Sequence, residues 1–255
     1  MEYSELEEKA KSVRKRIFNF KTKSGYGHLA SCLSCVDIVS SLYYDDETVF
    51  NHSEDVLIFS KAHGSPSVYP ILADFGYYDD DELEKYCTPE GILRLHSDGT
   101  IPGCHFVGGS LGNGVGFAAG LAHGSGKNVY VILGDAELYE GSVWETLMFI
   151  AHHRINITLV VDRNAMGILG KTEELLKLEP LHKKFESFGF ETHTIDGHDF
   201  ESLRRVFKNA PSSPRVIIAD TIKGKGVSYM EDVWQYHTII PKSDEDIEQG
   251  MEELS

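Results

Sequence analysis

Two short stretches hold side chains suited to gripping a hard cation beside a phosphate. Asp135 comes just after the apolar run Val129-Tyr-Val-Ile-Leu133, behind Gly134. Asn164 follows Ile157-Thr-Leu-Val-Val161, in the sequence Asp162-Arg-Asn164. An anionic oxygen with an amide oxygen is the hard ligand set that magnesium or calcium takes. Magnesium keeps few protein ligands and fills its shell from phosphate, so a diphosphate is its natural companion. Gly134, Gly141 and Gly167 leave room for backbone to approach it. The same residues also have a purely structural reading, in which Asp135 caps the helix that follows and Asn164 forms a turn.

Histidine is the other group that counts. The chain has twelve, and an imidazole titrates near neutrality, as proton transfer requires. Of the four cysteines, Cys32 and Cys35 have CxxC spacing. No second such pair exists, and Cys87 and Cys104 stand alone, so all four read as structural thiols rather than as a zinc or redox site.

These groups need a scaffold. Both apolar runs read as buried parallel strands, with an amphipathic helix over Ser142 to His153 between them. Val56 to Phe59, Glu191 to Ile195 and Val216 to Thr221 are further strands. Helices are expected over Leu6–Phe20, Leu33–Tyr44, Pro66–Phe75, Leu111–His123 and Phe200–Asn209. Residues 87–107, with Pro89, Gly91, Pro102 and Gly103, read as a long functional loop. The alternation predicts one α/β domain over 1–255, a doubly wound, mostly parallel sheet flanked by helices. Ligands of such sheets sit at the carboxyl ends of the strands, where Asp135 and Asn164 fall.

The chain has 255 residues, 41% hydrophobic, with a net charge of −16. That charge argues against a nucleic-acid or anionic-membrane partner. Neither a leader-like apolar stretch nor a run near the ~20 residues that span a bilayer is visible, so a cytoplasmic location is expected. Residues 242–255 read as a polar acidic tail.

Gly134-Asp-Ala-Glu-Leu-Tyr-Glu-Gly-Ser-Val-Trp-Glu145, with Asp162-Arg-Asn164, resembles the thiamine-diphosphate motif of the transketolase family. Gly27-His28-Leu-Ala-Ser-Cys-Leu-Ser34 resembles the first histidine motif of that family, and Ser60-Lys-Ala-His63-Gly-Ser-Pro-Ser-Val-Tyr69 its second. Leu95-His96-Ser-Asp-Gly99 with Gly108-Gly-Ser-Leu-Gly-Asn-Gly114 resembles its cofactor-cradling loop. Ala219 to Glu231, with Trp234 and His237, resembles the segment carrying its last active-site histidine. The matches run in order over nearly the whole chain.

The resemblance implies thiamine diphosphate held through Mg2+ (or Ca2+ or Mn2+) by Asp135, Asn164 and the carbonyl of Met166. It implies cofactor contacts from His63, Gly109, Ser110, Leu111, Gly134, Asp135, Ala136, Asn164, Met166 and Ile168, and from Glu140 near a subunit interface. It implies that His28, His63, His96 and His237 line the reaction cavity. His28 and His237 would serve proton transfer and substrate oxygens. His63 and His96 would contact the diphosphate or the donor's terminal hydroxyl. Three departures stand out: Ala136 replaces the second glycine of Gly-Asp-Gly, Ala165 stands where a glycine sits easily, and Gln235-Tyr236 separates Trp234 from His237.

A full transketolase has two more domains, one of which supplies the acid that activates the cofactor. The resemblance therefore implies a second subunit carrying the pyrimidine-binding and C-terminal domains, in an α2β2 assembly. The expected reaction is transfer of a two-carbon ketol unit from a ketose or ketose phosphate to an aldose. The alternatives are a deoxyxylulose-phosphate-synthase-like enzyme, a 2-oxo-acid dehydrogenase α-type subunit, or a non-catalytic paralogue.

Overall fold

A computed structural model of the protein describes residues 1–211 and 213–255. Its centre is a five-stranded, all-parallel sheet: β1 (Val56–Phe59), β2 (Val129–Gly134), β3 (Ile157–Arg163), β4 (Glu191–Asp196) and β5 (Arg215–Asp220), in the order β1-β2-β3-β5-β4. β2 and β3 are neighbours, with Gly134 opposite Asp162. Their ends therefore bring Asp135 and Asn164 to one edge of the sheet.

Helices cover both faces, as the doubly wound expectation requires. α1 (Tyr3–Ser24), α2 (Leu29–Leu33), α3 (Val36–Tyr44), α4 (Tyr69–Asp74) and α9 (Phe200–Phe207) join one core with Tyr130, Ile132, Val160 and Ile217. α5 (Asn113–Ser125), α6 (Gly141–His153) and α8 (Leu181–Ser187) join the other with Val131, Leu133, Leu159, Val161 and Ile218. Alternate strand residues point to opposite faces, so a strand buried on both faces is apolar at every position. That is why these strands are legible as unbroken runs. α7 (Thr172–Leu175) is a single turn beyond β3.

α1 starts where the Glu2 N–H donates to Glu5 Oε2 at 2.9 Å and stops at Gly25, whose φ of 70° suits a residue without Cβ. Leu6, Ala10, Val13, Ile17 and Phe20 form its buried stripe. Arg14 lies in that stripe and forks onto Asp37, which also accepts from His198 Nδ1. Burial alone would raise the Asp37 carboxyl; the Arg14 charge and these hydrogen bonds overcome it and hold it at about 2.

Several boundaries differ from the sequence reading. The helix expected over Leu33–Tyr44 is two, α2 and α3, because the chain leaves helical geometry at Cys35 (φ −97°, ψ 8°). The one expected over Pro66–Phe75 is a tight 3-10 stretch, Ala62–Val68, running into α4. Residues 242–255, read as a polar acidic tail, hold a packed helix. Ser243 caps α10 (Asp244–Glu253), its Oγ accepting from the Asp246 N–H at 3.1 Å. Ile247, Met251 and Leu254 turn inward at helical spacing, and Gly250 lies against the Phe18 ring. The acidic residues face solvent or the positive end of the helix dipole, so the acidic composition hid an amphipathic helix. No helix is long and apolar enough to cross a membrane among the described residues.

One glycine ties α5 to the site. A Cβ on Gly114 would lie 2.6 Å from Ser60 Cα, at the end of β1. Gly114→Val is expected to cost about 1–3 kcal/mol in urea unfolding; an unchanged midpoint would mean that α5 can slide away from β1.

Candidate functional site

A cavity of about 420 Å³ opens at the carboxyl ends of β1, β2, β3 and β5. Asp135 stands at its base. One carboxylate oxygen accepts from the Ala136 N–H at 2.7 Å and the other from the Ala165 N–H at 2.6 Å. The capping role is therefore real, yet each oxygen keeps a free lone pair. Asn164 Oδ1 accepts from the Met166 N–H at 3.1 Å, and the Met166 carbonyl faces Lys223 Nζ at 3.4 Å. All three line the cavity with Gly134 and Ala136.

Among the described residues no three His, Cys, Asp or Glu side chains gather around a metal position. A carboxylate, an amide and a carbonyl fall outside that pattern, and they are what a hard cation sharing its shell with phosphate needs. The electrostatics fit too. Burial, with the charge of Asp162 behind it, pushes the Asp135 carboxyl up to about 7. A divalent cation would remove that penalty.

The four histidines singled out by motif lie together. Ring centroids are 5.3 Å apart for His28 and His63, 5.0 Å for His28 and His237, 5.2 Å for His63 and His237, and 6.2 Å for His28 and His96. Burial lowers the pKa of each, helped at His237 by Lys223, which takes it to about 3. All four are neutral near pH 7.

Two hydrogen bonds fix two tautomers. His28 Nδ1 lies 2.9 Å from the His237 carbonyl, so Nδ1 carries the proton and Nε2 offers a lone pair. His237 Nδ1 lies 2.9 Å from the Lys223 ammonium, so Nδ1 accepts and Nε2 carries the proton. The pair presents one acceptor and one donor. Among the described residues, the buried His96 Nε2 meets no hydrogen-bond partner, a cost that a polar ligand atom would relieve.

Four charged groups escaped the sequence reading. Lys61, two residues before His63, is fully buried and pairs with Asp162 while donating to the Ser31 carbonyl at 3.0 Å. Asp162 also accepts from Ser34 Oγ, at 2.7 Å, and from Thr221 Oγ1. Glu137 accepts from Ser60 Oγ, the Gly112 N–H and the Gly134 N–H, so it ties the ends of β1 and β2 to the turn before α5. Lys223 lines the cavity, and burial lowers it to about 8, which leaves it largely cationic at neutral pH. The signal for these was available: a charged residue inside or within three residues of the end of an otherwise apolar strand must be paired or functional when buried.

The other expected residues fall around the rim. Gly109, Leu111, Glu140 and Ile168 line the cavity, and Glu140 is exposed at the start of α6. Ser110 is exposed next to them, its Oγ accepting from Asn113 Nδ2 at 2.9 Å. Ala136 is not left-handed, so its methyl is tolerated, and it lies 3.5 Å from where a Gly167 Cβ would stand. Ala165 does adopt φ 57°, where glycine would be easier. Cys32 and Cys35 are buried free thiols, and Cys87 and Cys104 are half-buried.

Sheet and cavity together define the class: an all-parallel α/β domain with a ligand-sized cavity at its strand ends. The chain belongs to the transketolase family, matching its thiamine diphosphate binding domain over residues 7–254. It is 37% identical to one of the subunits of the apulose-4-phosphate transketolase of Actinobacillus succinogenes, over 100% of this chain and 97% of that protein. It is 33% identical to the 6-deoxy-6-sulfo-D-fructose transketolase subunit SqwG of a Clostridium species, over 92% of this chain and 91% of that one. Human transketolase is 31% identical over 91% of this chain, but the match spans only 39% of the human protein. The transketolase structure from Campylobacter jejuni superposes with a TM-score of 0.89 at 28% identity, covering 100% of this chain and 43% of that one.

Proposed function

We propose that the chain is the diphosphate-binding subunit of a two-chain transketolase. It transfers a two-carbon ketol unit from a ketose or ketose phosphate to an aldose acceptor. The observation that carries this is the convergence of Asp135, Asn164 and the Met166 carbonyl on one side of a cavity whose other side is four neutral histidines. The subunit names of the relatives, and the 39% of human transketolase that the match spans, support a partner that supplies the rest. An α2β2 assembly is the proposed form. Buried free thiols at Cys32 and Cys35 fit a reducing, cytoplasmic setting.

When bound, thiamine diphosphate supplies the carbanion that adds to a ketose carbonyl and then stabilises the cleaved fragment. The chain's own residues do the rest. Asp135, Asn164 and the Met166 carbonyl would hold Mg2+, and the Lys223 ammonium would offer positive charge to the diphosphate. His237 Nε2–H donates to the sugar oxygen that gains charge, and His28 Nε2 accepts the hydroxyl proton released on C–C cleavage. His63 and His96 direct donors at sugar hydroxyls or the diphosphate.

His237→Ala, assayed with a ketose donor and the partner chain, is expected to lower kcat by about 10²–10⁴-fold while cofactor affinity changes only a few-fold. A variant that keeps full turnover would remove His237 from the mechanism. Failure of the wild-type pair to turn over any ketose with an aldose acceptor would count against transketolase activity itself.

A further inference from the structure

Lys21 lies on the inner side of α1 and is fully buried. A lysine is almost never fully buried unless a carboxylate pairs with it. Among the described residues Lys21 has no such partner. Its ammonium donates to Tyr86 Oη at 2.9 Å, and its other polar neighbours are the thiols of Cys32 and Cys87. Cys32 Sγ in turn donates to the His63 carbonyl at 3.4 Å. None of these groups supplies a counter-charge. Burial raises the Tyr86 phenol and both thiols, so all three stay protonated near neutral pH.

The place of this ammonium is specific. The turn Gly25-Tyr26-Gly27 leads from the end of α1 into His28, and Gly27 has φ 108°. A Cβ on Gly27 would run into Lys21 Nζ and would stand 3.1 Å from Tyr86 Oη and 3.2 Å from Leu95 Cδ1. Nζ therefore sits beneath the backbone, between the residue before His28 and the residue before His96. Only a glycine lets it come so close.

His28 is faced by His63, His96, His237, Lys223 and Lys21. Burial is the main cause of its lowered pKa, and Lys21 adds to that; Lys21 acts on His96 in the same sense. The two lysines differ in one respect. Lys223 lines the cavity, so an anion bound there can pair with it. Lys21 is not in the cavity wall, and no ligand anion can pair with it. Its charge still faces His28 when the cavity is filled. A proton on His28 would then be a second positive charge in a dry site, where like charges repel most.

We propose that Lys21 is a positioning residue for the proton acceptor: an uncompensated ammonium behind the Gly25–Gly27 turn that keeps His28 Nε2 free until the sugar hydroxyl gives up its proton. The transketolase reading above supplies only the source of that proton; the arrangement of Lys21 and His28 does not depend on it.

The test is Lys21→Met, studied first in the whole chain without partner or cofactor. Methionine fills the space with no charge to desolvate, so the variant is expected to melt at or above the wild-type temperature. The His28 ring resonance, identified by its loss in His28→Gln, is expected to titrate about one pH unit higher in Lys21→Met than in wild type. His193, beside Glu191 on β4, is the control and is expected to keep its midpoint. With the partner chain and a ketose donor, the acid limb of kcat/KM is expected to move up by a similar amount, while the plateau near about pH 8 holds within a few-fold. A merely structural loss would lower the whole profile instead. An unchanged His28 midpoint, or an equal shift at His193, overturns the proposal. If Lys21→Met does not fold, the nitrogen resonance of Lys21 in wild type decides: an ammonium throughout the range where His28 titrates upholds the proposal, and a neutral amine there overturns it. Absence of turnover by the wild-type pair would count against the transketolase reading, while the titrations still decide the role of Lys21.

Discussion

Asp135→Ala is expected to remove detectable binding of thiamine diphosphate with Mg2+, measured by calorimetry on the chain mixed with its partner. The loss should exceed the about 10–100-fold that follows from deleting an outer-shell partner of a metal ligand, because this carboxylate is the one anionic oxygen among the three proposed ligands. The variant also frees the Ala136 and Ala165 N–H groups that Asp135 now satisfies, so Asp135→Asn is the sharper probe. It removes the charge and keeps one of the two acceptor oxygens, so only one of the Ala136 and Ala165 N–H groups loses its partner. The pH dependence follows from the same carboxyl, which burial pushes up to about 7. A protonated acid does not bind magnesium, so apparent metal affinity should fall about tenfold per pH unit below 7. In the metal-free chain the sign reverses. A raised carboxyl pKa favours folding while the group is protonated, and that contribution is lost as pH rises through about 7. Without metal, wild type should therefore lose stability as pH rises through about 7 while Asp135→Asn does not, though the variant binds no cofactor. Equal metal affinity in wild type and Asp135→Asn would dismiss Asp135 as a ligand.

Lys61→Met is expected to cost about 3–5 kcal/mol in urea unfolding, since it leaves Asp162 as an unpaired buried charge. Asp162 joins Lys61 after β1, Ser34 after α2 and Thr221 after β5, so one carboxylate ties three segments around the site. Burial would raise its pKa, but Lys61 and the hydroxyl donors outweigh that and lower it. The stabilisation is therefore complete above the ordinary carboxylate value near 3.8 and is lost as pH falls through the lower folded value. The midpoint difference between Lys61→Met and wild type should narrow below pH 4. A cost under about 1 kcal/mol at pH 7 would mean that water or another cation reaches Asp162 in the variant.

The sequence made the scaffold readable wherever burial forces a pattern. β2, β3 and β5 lie between two helical layers, so their apolar runs leave little ambiguity, and Asp135 and Asn164 follow from the strand ends. The helix at 244–253 was obscured because its acidic residues outnumber Ile247, Met251 and Leu254. Lys61 and Asp162 were in plain view as charges next to motif residues, but their partnership spans 101 positions of chain and arises only through the sheet. The complementary tautomers of His28 and His237 depend on a carbonyl and a lysine placed by folding, which no spacing encodes.

The proximity of Asp162 to Asp135 has a wider meaning. Each carboxylate raises the cost of ionising the other in a dry interior; Asp162 is paired directly with Lys61, whereas Asp135 feels Lys223 only at a distance. The fold thus holds a pocket of local electrostatic conflict that its remaining contacts over-determine. A sequence chosen only for thermal endurance would replace Asp135 first. Screens of this chain for heat tolerance should therefore enrich substitutions at Asp135, and those survivors should be the ones that no longer load metal.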